Sequence, residues 1–261
     1  MGGLREQAKS FLQALPPRPQ RVLRTAFDWL RHPPGSAGRR RMAWVRDVYT
    51  PFGRQQRIDL MLDIARFANI NRPIDGYYME FGSHEANTMR MAWQCFGSLF
   101  DWHFIAFDSF QGLPEITAID EQAIWEKGKL ATAEAEFRRL CRSAGMPADR
   151  LSTVVGFYDR SLTPELSARL LPRRAAVVYV DCDLYVSTVP VLEFIVPFLQ
   201  PGTVIVFDDW NCFHADPDKG ERLAWREFRE RHPTLWFEPF VSTGMQASFV
   251  FVGEKPAPAG A

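Results

Sequence analysis

Two short acidic stretches carry the clearest chemistry in the sequence. Val180-Asp181-Cys182-Asp183-Leu184-Tyr185 and Phe207-Asp208-Asp209-Trp210 each end an apolar run, at 175–180 and 203–207. If those runs are neighbouring strands, Asp181, Asp183, Asp208 and Asp209 converge at their carboxyl ends. Buried like charges repel and raise one another's pKa unless a cation intervenes. A donor set made only of oxygen suits Mg²⁺, Mn²⁺ or Ca²⁺ rather than zinc. Residues i and i+2 of a strand share a face, but the chain is expected to turn after Asp181. Only one of Asp181 and Asp183 is therefore expected to ligate directly. The competing reading, exposed turn aspartates that cap helices, is disfavoured because charges are seldom buried without partners.

Two other strand ends hold candidate groups. Glu80-Phe81-Gly82-Ser83 closes an apolar run, and a glycine there lets backbone approach a ligand while the carboxylate holds a cationic or polyhydroxy group. The turn that follows, His84-Glu85-Ala86-Asn87-Thr88, lacks the later glycines of G-x-G-x-x-G. Dinucleotide binding is disfavoured accordingly. Asp108, in FDSFQGLPE, lies 26 residues after Gly82. An acidic residue at that place accepts hydrogen bonds from both hydroxyls of an unphosphorylated ribose. The plainer alternatives are a tight strand–helix turn at Gly82 and a helix cap at Asp108-Ser109. His214, Asp216 and Asp218 are placed in a loop that can line a substrate mouth, although a loop histidine is more often solvated. His84 and His103 read as structural, and Trp210, Phe213 and Trp225 as packing before stacking. No Ser-His-Asp order or G-x-S-x-G elbow occurs.

These positions need a scaffold of alternating strands and helices. Strands are expected at 77–81, 104–107, 151–155, 175–180 and 203–207. The fourth, AAVVYV, is apolar throughout and so buried on both faces. Helices are expected near 86–95, 131–144, 189–199 and 221–230, the third capped by Thr188 with Pro190 in its first turn. Residues 235–240 and 247–252 are expected to pair as a hairpin. The alternation reads as a doubly wound α/β sheet, in which ligands bind beyond the carboxyl ends of the strands.

The whole chain bounds these readings. At 261 residues it forms one large domain or one domain with an added segment. With 46% apolar and 24% charged residues, disordered and fibrous classes are excluded. Lys+Arg and Asp+Glu both number 31, which argues against a dedicated nucleic-acid binder. Cys95, Cys141, Cys182 and Cys212 show no CxxC spacing, so a zinc site or disulfide framework is not expected and a cytoplasmic setting is. No apolar run is long enough to span a bilayer, and no secretory signal is read. Residues 1–46 hold ten basic residues against two acidic ones, with PPRP and HPPGSAG segments around an amphipathic stretch at 22–30. The division expected is a basic helical arm over 1–45, a core domain over 46–253 and a disordered tail over 254–261. The arm is expected to serve as a dimer or lid segment, with weak membrane-surface contact or tethering as alternatives.

Together, Tyr49-Thr50, MEFGS, FDSFQGLPE, VDCDLYVST and VIVFDDW resemble the macrocin O-methyltransferase (TylF-type) family of class I S-adenosylmethionine-dependent enzymes. The resemblance spans roughly residues 47–252. It implies a Rossmann-like fold with a mostly parallel seven-stranded sheet and an antiparallel last strand. It also implies S-adenosyl-L-methionine as donor, Mg²⁺ or another divalent cation, and methylation of a hydroxyl on a sugar, glycosylated metabolite or glycan. By position, Glu80, Phe81, Gly82 and Ser83 would cradle the methionine part, Asp108 the ribose, and Ser109 would lie beside the adenosine. Thr50 and Phe110 belong to the same donor-binding set. Asp181, Asp208 and Asp209 match the metal-binding aspartates, and Asp181 also matches the catalytic base, with Asp183 as its fallback. A homo-oligomer is expected. A nicotinamide-dependent sugar oxidoreductase and a non-catalytic scaffold of the same fold are the rival readings. The family's first loop normally continues with glycines where this chain has Ala86 and Asn87, and the basic arm has no counterpart in the family pattern.

Overall fold

A computed structural model describes residues 35–255. The amphipathic stretch at 22–30 and nearly all of the expected tail lie outside the described residues. By contacts the chain divides into two units, Met1–Gln55 and Gln56–Ala261. In the first unit, Ser36 caps helix α1 (Ala37–Trp44), its hydroxyl accepting the Arg39 N–H. A π-helical stretch, Val45–Tyr49, leads on to helix α2 (Thr50–Ile70).

The second unit is built on a seven-stranded sheet. Strands β1 (Tyr77–Phe81), β2 (His103–Asp108), β3 (Leu151–Val155), β4 (Ala175–Val180) and β5 (Val204–Phe207) run parallel. Strands β6 (Leu235–Ser242) and β7 (Ala247–Glu254) form an antiparallel hairpin, and β7 lies antiparallel to β5. The order β3-β2-β1-β4-β5-β7-β6 puts the switch of winding direction between β1 and β4. Ligands of open α/β sheets bind beyond the carboxyl ends at such a point.

The side-chain period of two explains how the sheet is covered. Tyr78, Phe104, Ala106, Val177, Tyr179, Val204 and Val206 enter one core layer, packed with Leu60, Met61 and Ile64 of α2 and with helices α3 (Asn87–Phe96) and α4 (Glu134–Ser143). Met79, Phe81, Ile105, Phe107, Val178, Val180, Ile205 and Phe207 enter the opposite layer. There they meet helices α5 (Pro164–Leu170), α6 (Tyr185–Ile195) and α7 (Gly220–Arg231). With apolar groups on both faces, the parallel strands read as unbroken hydrophobic runs.

One helix differs from its expected position. Helix α6 starts at Tyr185, not near Val189, and ends at Ile195 before a 3₁₀ turn at Val196–Phe198. Thr188 is therefore not its cap. Its hydroxyl donates to the Leu184 carbonyl at 2.8 Å, and Pro190 falls inside the helix. The physical reason is a distant cap, Asp120, whose carboxylate accepts the N–H groups of Tyr185 and Val186. Helix α5 adds to the helices expected from the sequence, and Thr163 and Pro164 form an ordinary helix start: the Thr163 hydroxyl accepts the Leu166 N–H at 3.2 Å. Among the described residues no helix is long and apolar enough to cross a membrane. Cys95, Cys141, Cys182 and Cys212 are all free thiols.

Candidate active site

A cavity of about 650 Å³ opens at the carboxyl edge of β1, β2 and β4. Gly82, Ser83, Asp108, Asp181, Asp183 and Arg57 are among its lining residues. Gly82 has φ +92°, and a Cβ there would lie 1.8 Å from the Asp181 carbonyl oxygen. Its missing side chain makes room first for the neighbouring strand, where Asp181 N–H donates to Phe81 O at 2.8 Å. The next turn passes through left-handed Glu85 (φ +54°) and Ala86 (φ +52°) without a glycine.

Asp108 is fixed by two backbone donors, Ser83 N–H at 2.7 Å and Phe110 N–H at 2.6 Å, one on each oxygen. Burial raises its pKa while those donors oppose the rise. Ser109 lines the cavity and its hydroxyl donates to Gly112 O at 2.9 Å. Glu80 is fully buried, and Tyr78 donates to its Oε2 at 2.8 Å. Glu80 Oε1 and Ser83 Oγ are buried with no partner beyond the contact between the Ser83 and Glu80 side chains. Burial pushes the Glu80 carboxyl up to about 8. Phe81 stacks on Phe107 in the core, and Phe110 packs on Phe137; neither ring is among the cavity-lining groups. Thr50 is exposed at the start of α2 and belongs to the first unit, outside the unit that carries the cavity.

The acidic centre forms where β4 and β5 end side by side. Val180 pairs with Phe207, and Asp208 N–H donates to Val180 O at 2.9 Å, so Asp181 and Asp208 follow on the same face. Carboxylate oxygens of Asp181, Asp208 and Asp209 lie within 4.8 Å of one another. Thr88 donates to Asp181 Oδ2 at 3.2 Å. Asp208 is fully engaged. It accepts Arg57 Nε at 2.9 Å, a second Arg57 nitrogen, the Tyr179 hydroxyl, and Gln246 Nε2 at 3.2 Å. Asp209 N–H donates to the buried Glu221 at 3.1 Å, and Cys212 Sγ donates to Asp209 Oδ1 at 3.3 Å. Asp209 Oδ2 is buried with no donor except the Asp183 carboxyl, which can supply one only when protonated. Burial, then repulsion from Asp208, pushes Asp209 up to about 6. The same causes raise Asp181; burial and Asp209 raise Asp183 and Glu221.

Sequence reading missed Arg57, Thr88, Asp120, Tyr179 and Glu221. Arg57 and Asp208 are 151 residues apart, and no local pattern announces such a pair. The loop candidates lie elsewhere. His214 is exposed, Asp218 pairs with Arg226, and Trp210 packs on Phe207 and Phe249 under the Arg222 guanidinium.

Residues 24–236 match the family model described as macrocin-O-methyltransferase (TylF). The chain belongs to that family. Two curated proteins are similar to it. One is the 8-demethyl-8-(2,3-dimethoxy-alpha-L-rhamnosyl)-tetracenomycin-C 4'-O-methyltransferase of Streptomyces olivaceus, 32% identical over 110 residues, 40% of each chain. The other is the mycinamicin III 3''-O-methyltransferase of Micromonospora griseorubida, 31% identical over 137 residues, 48% of each chain. The matched stretch thus spans less than half the length of either relative. Among solved structures, the O-methyltransferase NovP superposes with a TM-score of 0.62 at 21% identity, covering 76% of this chain and 80% of that one. The calicheamicin methyltransferase CalS11 gives 0.62 at 19% identity, covering 90% and 93%. These two likenesses establish the class I O-methyltransferase fold for this TylF-family chain.

Proposed function

We propose that this TylF-family protein methylates a hydroxyl of a sugar carried by a metabolite or glycan, with S-adenosylmethionine as donor and a divalent cation at the acidic centre. The observation that carries the reading is one cavity shared by the Gly82-Ser83 turn, Asp108 and Asp181. A sugar acceptor is favoured by the rhamnosyl compound in the name of one relative.

The residues present fit both groups. For the donor, Asp108 is held ready to accept ribose hydroxyls. S-adenosylmethionine supplies an activated methyl group. For the cation, the donors are hard oxygens, and Asp209 Oδ2 is a buried lone-pair site without a committed partner. Asp181 and Asp209 would hold it, and Asp208 would join them only by giving up one of its present donors. The ion would supply positive charge that makes a nearby hydroxyl more acidic.

The chain's own residues do the rest. Asp181 takes the hydroxyl proton as the oxygen attacks. Burial and the neighbouring Asp208 favour its protonated form, so it needs positive charge beside it to be ionised and able to accept that proton. Asp183 stands in the same cavity as the alternative acceptor. Thr88, bonded to Asp181 Oδ2, fixes which oxygen faces the substrate. The enclosing walls hold the reacting atoms close, which supplies much of the rate.

Calorimetric titration with S-adenosylhomocysteine, with and without Mg²⁺, tests the donor site. Binding is expected in both conditions. Methyl transfer from labelled donor to a set of glycosides should then be lost in EDTA and return with Mg²⁺. A protein that binds no S-adenosylhomocysteine would be a scaffold of this fold.

A further inference from the structure

Between β2 and α4 the chain makes a long excursion whose only described helical turn is Ala118–Asp120. Its base is pinched shut. Leu113 N–H donates to Lys129 O at 2.9 Å, and Gly128 N–H donates to Leu113 O at 2.9 Å. Gly112 sits at this pinch with φ +87°, and a Cβ on it would meet the backbone of Gly128 and Lys129 at 2.5–2.6 Å. Both sides of the base face the cavity: Leu113, Pro114 and Glu115 on one, Lys127 and Leu130 on the other.

From that base the loop reaches out to Asp120, which is fully buried. Its two oxygens accept Tyr185 N–H at 2.7 Å and Val186 N–H at 3.2 Å, the first two amides of the eleven-residue helix α6. Leu184, at the position where a helix normally carries its cap, has no side chain able to bond. The cap comes from 65 residues away instead. Immediately before it lies the tight turn that presents Asp181 and Asp183. There Asp183 has φ +62° and Leu184 N–H donates to Cys182 O at 2.6 Å. Val186 and Ser187 of the capped turn line the cavity themselves.

We infer that Asp120 is a positioning residue for methyl transfer: it latches the 113–128 loop onto the first turn of α6, so the loop wall of the cavity and the turn bearing Asp181 and Asp183 stay in register. The inference rests on the donor reading of the cavity. A carboxylate suits the role because it satisfies two orphan amides at once and meets the positive end of the helix. Asparagine keeps one acceptor oxygen and loses the charge; alanine keeps neither.

Hydrogen exchange followed by mass spectrometry tests the latch on the full-length protein. Asp120→Ala should speed exchange in 113–129 and 185–187 by about tenfold, the loss of a strong cap, and leave 175–180 of β4 unchanged. Asp120→Asn should fall between wild type and Asp120→Ala, and it serves if the alanine variant does not fold. S-adenosylhomocysteine affinity should drop by about tenfold in Asp120→Ala, with KM for the donor rising more than kcat falls. Unchanged exchange in the loop, or acceleration spread evenly over the sheet, would overturn the latch. Wild-type protein that binds no S-adenosylhomocysteine would overturn the donor reading, and the exchange pattern alone would then decide the latch.

Discussion

At the scale of single residues, Asp208 and Asp209 are adjacent in sequence and opposite in circumstance. Asp208 is matched by Arg57, Tyr179 and Gln246; Asp209 keeps a buried oxygen with no committed donor. Removing them should therefore have opposite signs. Asp208→Ala strands Arg57 against a buried cluster, and solvent reaches only 33% of that side chain. The expected loss is about 2–3 kcal/mol of unfolding free energy, below the figure for a fully buried pair. Asp209→Asn removes a crowded charge and keeps the shape. In EDTA it should unfold at higher denaturant than wild type, while its affinity for Mn²⁺ falls about 100-fold. Urea melts and Mn²⁺ titration by electron paramagnetic resonance check both; parallel losses in the two variants would contradict the distinction. The four strand-end aspartates were legible in the sequence because β4 and β5 are apolar to their last residue and the carboxylates begin where burial of hydrocarbon stops. Arg57 was not legible, since its partner is fixed only once α2 packs beside the sheet.

At the scale of elements, turns and caps separate what local sequence encodes from what tertiary contact imposes. The strands from β1 to β5 follow their hydrophobic runs to within a residue or so. Helix α6 does not follow its own sequence, because the capping group at its start comes from another loop. The turn after β1 shows the reverse case, in which the chain adopts a path that its residues resist. Glu85 is exposed and left-handed, a conformation that costs a side chain with a Cβ about 1 kcal/mol or more. Glu85→Gly removes that strain, and the greater freedom of glycine in the unfolded chain takes back part of the gain. The net expectation is a stabilisation of about 0.5 kcal/mol, read as a rise in urea midpoint at unchanged m. Its neighbour Ala86 is equally left-handed but fully buried, so replacing it also removes a packed methyl and is the poorer test.

At the scale of the whole molecule, a formal charge of zero conceals a strongly acidic interior. Glu80, Asp181, Asp183, Asp209 and Glu221 all have raised pKa values, and burial is the first cause of each. A carboxyl whose pKa is higher folded than unfolded holds its proton in the native state after the unfolded chain has released it. Its stabilising contribution is complete below the unfolded pKa, near 4, and is lost as pH rises through the folded value. For Asp209 that loss ends near pH 6 and for Glu80 near pH 8. The protein in EDTA should therefore grow steadily less stable from about pH 4.5 to pH 8, where most soluble domains are near their plateau. Glu80 alone accounts for a few kcal/mol of this slope at about 1.4 kcal/mol per pKa unit. Glu80→Gln, which cannot ionise, should flatten the slope without lowering stability at pH 8. On the proposed reading a divalent cation would act on Asp181 and Asp209 instead, so added Mg²⁺ should restore stability at pH 8 and do little at pH 5, where protons compete for the same oxygens. Urea unfolding at pH 5, 6.5 and 8, in EDTA and in Mg²⁺, reads all of these at once. A flat profile in EDTA would mean that the carboxylates find counter-charge enough within the fold, from Arg57 outward, and that the acidic centre has no need of an ion to stay ionised.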